Sequence, residues 1–135
     1  MNRLFLDANV LFTAAHNPDG KASLIISLGI KGAWEVYSSG FAVEEARRNI
    51  AVKYPSFEKK FKELISAITI VSETPDAYYP PDLNEKDRPI FQTAHACHAS
   101  HLITGDIAHF RAFMSKPEET TGIIILTAAM FLSSL

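Results

Sequence analysis

His101-Leu102-Ile103-Thr104-Gly105-Asp106-Ile107-Ala108-His109-Phe110 is the stretch from which the rest of the chain is read. A short apolar run, Leu102-Ile103, stops abruptly at Thr104-Gly105-Asp106. Such a stop marks a buried strand ending in a turn. Beyond it Ile107, Phe110, Phe113 and Met114 recur at three- and four-residue spacing, which predicts a helix over 107–114. In open α/β sheets ligands bind beyond the carboxyl ends of the strands, so a carboxylate at a strand exit stands where solvent and ligands begin. Asp106 has a second reading, as a cap of the helix that follows. The stretch alone leaves both open.

The first residues repeat the design. Arg3-Leu4-Phe5-Leu6 is an apolar run ending in Asp7-Ala8-Asn9. Helical pattern follows from Val10 to Ala15, stopped by the turn Asn17-Pro18-Asp19-Gly20. A second helix is predicted over 21–31, with Leu24, Ile25, Ile26 and Leu28 inward, ended by Gly32. Residues 34–38 alternate and predict a strand. Ser38 or Ser39 then caps a helix over 41–52 whose buried face carries Val43, Ala46 and Ile50. Tyr54-Pro55-Ser56 breaks that helix. Ser56 is placed to cap another over 57–68, buried through Phe57, Phe61, Leu64, Ile65 and Ile68. The β-branched run at 68–71 predicts a strand. Residues 74–85 hold three prolines and no period, which predicts a long surface loop, functional or mobile. A helix over 86–99 has Asp87 in its first turn and Pro89 just inside, both favoured there. A last strand is predicted over 121–126 and a last short helix over 127–132.

Strands and helices alternate throughout. That pattern predicts an α/β fold, a Rossmann-like three-layer α/β/α sandwich around a mostly parallel sheet, in a single domain spanning 1–135. The 135 residues are a single-domain length, and 47% hydrophobic with 21% charged residues suffices for an ordinary core. No apolar run is long enough for a bilayer, and Asp7 interrupts the place an export signal would need, so the expected location is cytoplasmic. The one cysteine, Cys97, precludes an internal disulfide framework and is read as packed rather than reactive. A net charge of −2 excludes a wholly basic nucleic-acid surface but not a local basic patch. Neither a G-x-G-x-x-G fingerprint nor a P-loop lysine is present.

Four carboxylates map to one rim of such a sheet. Asp7 and Asp106 end strands, Asp87 opens a helix, and Glu45 lies about one turn into the helix after the second strand. Each has an innocent role as cap, dipole partner or solvated side chain. Their convergence on one rim weakens those readings jointly. Hard oxygen donors of this kind suit Mg²⁺ or Mn²⁺, which can stabilise developing negative charge and activate water. Arg47, Arg48, Lys86 and Arg88 flank two of the acids, either to contact phosphates or to offset the acidic cluster. His95, His98 and His101 lack the cysteine partners of a zinc site and are read as core-edge or solvated. His109 stands nearer the acids, either touching a phosphate or packing. Trp34 and Tyr37 are read as core or core edge.

Leu4-Phe5-Leu6-Asp7-Ala8-Asn9-Val10-Leu11, the helix segment Val43 to Ile50, the segment Asp87 to Ala94 and the segment Leu102 to Phe110 together resemble the PIN domain, a metal-dependent ribonuclease fold of bacterial toxins and RNA-processing factors. The resemblance implies that Asp7, Glu45, Asp87 and Asp106 are catalytic metal ligands. Glu45 is preferred to Glu44 because Ile50 stands five residues after it, as in the family pattern. Asn9 and Thr104 match polar positions beside the metal. The proline-containing loop before Asp87 matches no family pattern. The resemblance further implies an Mg²⁺- or Mn²⁺-dependent endoribonuclease acting on RNA, a toxin held by an antitoxin protein, and a homodimer. Two rivals stand beside it. One is a haloacid-dehalogenase-like phosphohydrolase, which also begins with a strand ending in Asp but carries a second Asp where this chain has Asn9. The other is a non-catalytic RNA- or protein-binding domain of the same fold.

Overall fold

The computed structural model describes residues 1–135. Five short strands, β1 (Arg3–Leu6), β2 (Glu35–Ser39), β3 (Thr69–Val71), β4 (His101–Ile103) and β5 (Ile124–Leu126), form one sheet of order β3-β2-β1-β4-β5. Every pairing is parallel. β1 is central and wholly apolar beyond Arg3: Leu4, Phe5 and Leu6 are buried on both faces, as a strand covered by helices on either side must be. β3 is an edge, and Thr69 and Ile70 face solvent.

The helices are α1 (Ala8–His16), α2 (Lys21–Ile30), α3 (Gly40–Lys53), α4 (Glu58–Ser66), α5 (Arg88–Ala96), α6 (Ile107–Phe110) and α7 (Ala128–Ser133). From β1 through β2 to β3 the chain moves one way across the sheet, and right-handed crossovers place α1–α4 on one face. It then returns past β1 to β4 and β5, so α5 and α6 cover the other. α1 packs on α2, α3 and α4, and α2 on α7. The direction reverses between β1 and β4, which makes their carboxyl ends the switch point where a crevice opens in such sheets. One core of 31 buried apolar residues underlies it, with Phe5, Phe91, Phe110 and Phe131 among its largest members. No helix is long and apolar enough to cross a membrane.

Several expectations are corrected at element ends. The helix expected over 107–114 is one turn, followed by a 3₁₀ turn, Arg111–Phe113. Phe110 and Phe113, three residues apart, suit a 3₁₀ turn as well as a helix, and both are buried. Ile107, part of the same spacing, is 46% exposed. Leu24 is likewise 46% exposed, while Ile25 and Ile26 carry the buried face of α2. Ser56 caps nothing: a 3₁₀ turn, Pro55–Phe57, leads into α4 without a side-chain cap. The last strand begins at Ile124 rather than 121, since Thr121 and Gly122 have positive φ and form a turn. Ser39 caps α3, its Oγ accepting from the Ala42 amide at 3.1 Å. α5 is shorter than expected at both ends. A 3₁₀ turn, Glu85–Asp87, precedes it and leaves Asp87 at the N-cap position.

The loop over 74–85 is not a free surface loop. Leu83 and Pro80 are buried. Gln92 of α5 donates from Nε2 to the carbonyls of Pro75 and Ala77, both at 2.8 Å. Arg88 donates to the Leu83 carbonyl at 3.0 Å, and its guanidinium lies 4.7 Å over the Tyr79 ring. The segment that delivers Asp87 to the sheet rim is therefore clamped onto α5.

Candidate active site

Asp7 ends β1 and caps α1. Its Oδ1 accepts from the Ala8 amide at 2.7 Å, and its Oδ2 accepts from Thr104 Oγ1 at 2.8 Å and, more distantly, from Asn9 Nδ2 at 3.4 Å. Thr104 Oγ1 also accepts from the Asp106 amide at 3.0 Å, and Asn9 Oδ1 accepts from the Gly105 amide at 2.6 Å. A Cβ at Gly105 would stand 3.1 Å from Asn9 Oδ1, so the close approach favours glycine. Thr104 and Asn9 thus tie the end of β1 to the end of β4 and fix the Asp7 carboxylate between them. Asp7 is only 5% exposed. Burial, chiefly, pushes its pKa from 3.8 to about 6, with the charges of Asp87 and Glu45 adding to the rise against the Thr104 and Ala8 hydrogen bonds.

Asp87 is 8% exposed and sits at the N-cap position of α5, yet its carboxylate makes no capping bond. Its Oδ2 lies 2.8 Å from Nδ1 of His109, and the same nitrogen lies 2.8 Å from Oδ2 of Asp106. No hydrogen-bond donor is aligned on Asp87 Oδ2, although that atom is buried. Burial and then the charge of Asp106 hold the Asp87 pKa above the ordinary carboxylate range, against the attraction of His109. Asp106 does cap α6, its Oδ1 accepting from the His109 amide at 3.2 Å, and it offers its other oxygen to the cluster as well. The capping role of Asp106 is seen on one oxygen, and the other oxygen faces the His109 ring.

Asp87 and Asp106 come together, and His109 joins them, all three within a set of ligand atoms no more than 4.8 Å apart. Asp7 stands outside that set but near enough for the charge of Asp87 to act on it. Glu45 is exposed on α3, and its charge also reaches Asp7. Neighbouring Glu44 is engaged elsewhere: its two oxygens take Nε and Nη2 of Arg47 at 2.9 and 2.6 Å. The Arg47 guanidinium is paired with Glu44, and that of Arg88 donates to the Leu83 and Pro81 carbonyls. Arg48 and Lys86 make no ion pair and are exposed.

The sequence leaves the role of His109 open. The signal it carries is a position three residues after Asp106, one helical turn away. Glu73 carries no such signal. It follows β3, and its Oε1 accepts from the Phe41 amide at the start of α3, so it serves the helix terminus. His95 packs against Phe91 and Tyr78, and His101 is buried beside Ser100, each apart from the acids. Cys97 is half-buried, with burial raising its pKa. The chemistry of the site is thus carboxylate oxygens and one imidazole, with a buried oxygen lacking an aligned donor. That set fits a divalent cation. Beside it runs an open groove of about 670 Å³ lined by Asn9, Thr13, Asn17, Thr104, Gly105 and Thr127 among others.

Comparison with known proteins bears on this arrangement. No curated relative matches by sequence. Among solved structures, VapBC2 from Rickettsia felis, bound to a DNA fragment from its promoter, is similar with a TM-score of 0.67 at 17% identity, over 91% of this chain and 96% of the other. PAE2754 from Pyrobaculum aerophilum gives 0.64 at 16% identity, over 98% and 94%. FitAB bound to the IR36 DNA fragment gives 0.61 at 17% identity, over 93% and 94%. These likenesses are likenesses of fold. The family model for the PIN domain matches residues 3–108, a span that holds β1 through the start of α6 and all four acids, and the chain belongs to the PIN domain family.

Proposed function

We propose that the protein is a divalent-cation-dependent endoribonuclease that hydrolyses RNA phosphodiester bonds. The observation that carries this reading is the buried Asp87 oxygen without an aligned donor, set against Asp106 at the switch point of a parallel sheet and beside buried Asp7. Burying carboxylates together is costly unless a cation meets them.

Asp7, Glu45, Asp87 and Asp106 are the residues that would hold the cation, Mg²⁺ or Mn²⁺. When bound, the ion supplies Lewis acidity at the phosphate and makes water nucleophilic near neutral pH. The chain's own groups do the rest. Thr104 and Asn9 hold Asp7 in one orientation through Oδ2 while the Ala8 amide holds Oδ1. The clamped 74–85 loop fixes Asp87. Arg48 and Lys86 contact RNA phosphates, and the groove beside Asn9 and Thr104 receives the strand through hydroxyl and amide groups.

We further infer that the enzyme is the toxin of a toxin–antitoxin pair, working in the cytoplasm as a homodimer. Support comes from the similarity to VapBC2 and FitAB, both described as bound to DNA fragments. Purified protein should cleave RNA with Mg²⁺ or Mn²⁺ and stop when EDTA is added. Asp7→Asn and Asp87→Asn should lower the rate by orders of magnitude with the fold intact. Equal cleavage by either variant would place the activity in a contaminant or at another site. Metal binding without RNA cleavage would favour a non-catalytic PIN-domain role. Expression of the chain alone should arrest growth, and Asp87→Asn should relieve the arrest. Normal growth with abundant folded protein would refute the toxin role and leave the nuclease reading standing.

A further inference from the structure

We propose that His109 is itself a ligand of the cation, which makes the site a mixed nitrogen–oxygen centre that selects Mn²⁺ over Mg²⁺. The inference rests on the metal-dependent reading above and narrows it. His109 Nδ1 lies 2.8 Å from Oδ2 of Asp87 and 2.8 Å from Oδ2 of Asp106. A ring nitrogen carries at most one N–H, and sharing it between two carboxylates leaves it poorly aligned on at least one of them. On Asp87 it is not aligned, since that oxygen is buried without a hydrogen-bond partner. The three atoms are therefore packed as neighbours without being joined as donor and acceptors throughout. Neighbouring ligands on a six-coordinate ion with bonds near 2.1 Å stand about 3 Å apart, close to both spacings here.

The placement of the ring is built in. Asp106 takes the His109 backbone amide on Oδ1 and faces the ring on Oδ2, so one carboxylate orients both parts of the residue. The clamped loop and α5 bring Asp87 to the ring from the other side. The side chain is 39% exposed, which leaves an approach from solvent.

A nitrogen donor changes which ions are favoured. Mg²⁺ prefers oxygen and gives up its waters reluctantly. Imidazole suits the first-row transition ions, whose affinities for such sites rise from Mn²⁺ onward. Asp87, Asp106 and His109 would supply three ligands beside Asp7 and Glu45, with water and substrate in the positions that remain.

Calorimetric titration of metal-free protein with MnCl₂ and with MgCl₂ tests the proposal, using wild type, His109→Ala and Asp87→Asn. For His109→Ala, Mn²⁺ affinity should fall at least about tenfold, since even outer partners of a metal ligand are worth that much, and Mg²⁺ affinity should change much less. Electron spin-echo measurements on the Mn²⁺-loaded protein should show a directly bonded nitrogen that His109→Ala abolishes. A histidine that only ion-pairs with the acids would compete with the metal, so its removal would strengthen binding of both ions. That result, or no nitrogen signal in the wild type, overturns the proposal. The third protein separates this failure from a wider one. Loss of Mn²⁺ binding in Asp87→Asn with unchanged binding in His109→Ala refutes the ligand alone, whereas unchanged binding in both removes the metal centre as well.

Discussion

Asp7→Asn should stabilise the metal-free protein near neutral pH and leave it unchanged in acid. The Asp7 pKa rises from 3.8 to about 6 in the folded state. Between those values the folded chain holds a proton that the unfolded chain has released. Stability therefore falls as pH climbs through that window and levels off above it. The rise from 3.8 to about 6 corresponds to about 3 kcal/mol for keeping this buried carboxylate ionised. Asparagine removes the charge and keeps the architecture. Its amide oxygen still caps α1 at Ala8, asparagine being as good a cap as aspartate. Its amide NH₂ can donate to Thr104 Oγ1, which reverses the present bond, while only the longer bond from Asn9 Nδ2 is lost. At about 3 kcal/mol the melting temperature should rise by about 10 °C near pH 7 in EDTA, for a chain of this size. The gap should close as pH falls towards 4. Thermal melts of both proteins by circular dichroism across that range measure it. A variant less stable at neutral pH, or a gap that does not vary with pH, would show that Asp7 is not held ionised against its surroundings.

Other consequences arise from the same hydrogen bonds and charges. Mg²⁺ or Mn²⁺ should raise the melting temperature above about pH 5 and lose its effect in acid, because binding to the folded state alone adds stability and requires ionised carboxylates; parallel curves with and without metal would mean that the acids share no ion. Thr104→Val should cost about 1–3 kcal/mol, since Asp7 Oδ2 and the Asp106 amide both lose a buried partner, and should push the Asp7 pKa higher still, read as an alkaline shift of the stability profile. Removing the charges of Arg48 and Lys86 together should flatten the log–log salt dependence of RNA affinity by about 0.7 for each phosphate that is no longer neutralised. Arg47→Ala should leave that slope alone, because Glu44 already holds the guanidinium; the reverse pattern would put the RNA on the other side of α3.

Strand and helix order could be read from the chain because each buried element carries its period. Leu4-Phe5-Leu6 and Leu102-Ile103 are continuous apolar runs between punctuating polar residues, and all five are fully buried in central parallel strands. The errors lie where period is ambiguous or tertiary contact decides. A spacing of three at Phe110 and Phe113 does not separate an α-helix from a 3₁₀ turn. Leu24 sits beside Ile25 and Ile26, and local pattern does not say which of three successive apolar residues stays outside. The 74–85 segment has no period at all. Its anchorage comes from Gln92 and Arg88, side chains of the following helix, and such long-range hydrogen bonds leave no trace in local composition. The family match sets the phosphohydrolase rival aside, and Asn9, where that rival carries a second Asp, bridges to Gly105.

The site was legible in residue type and chain position but not in division of labour. Strand ends located Asp7 and Asp106, and the helix start located Asp87. Nothing local distinguishes a carboxylate that spends both oxygens on the protein from one that offers an oxygen outward. Asp7 is of the first kind, with Ala8 on one oxygen and Thr104 and Asn9 on the other. Asp106 is divided, and Asp87 has a buried oxygen with no aligned donor. The distinction matters for how the acids act. A carboxylate fixed by three donors holds its charge in one place and sets the field of the site. One without such partners is free to meet a cation directly. By that argument Asp87 and Asp106 are the residues whose amide variants should abolish metal affinity. Asp7→Asn should weaken it less while still lowering the cleavage rate, a split that titration and kinetics on the same three proteins would expose.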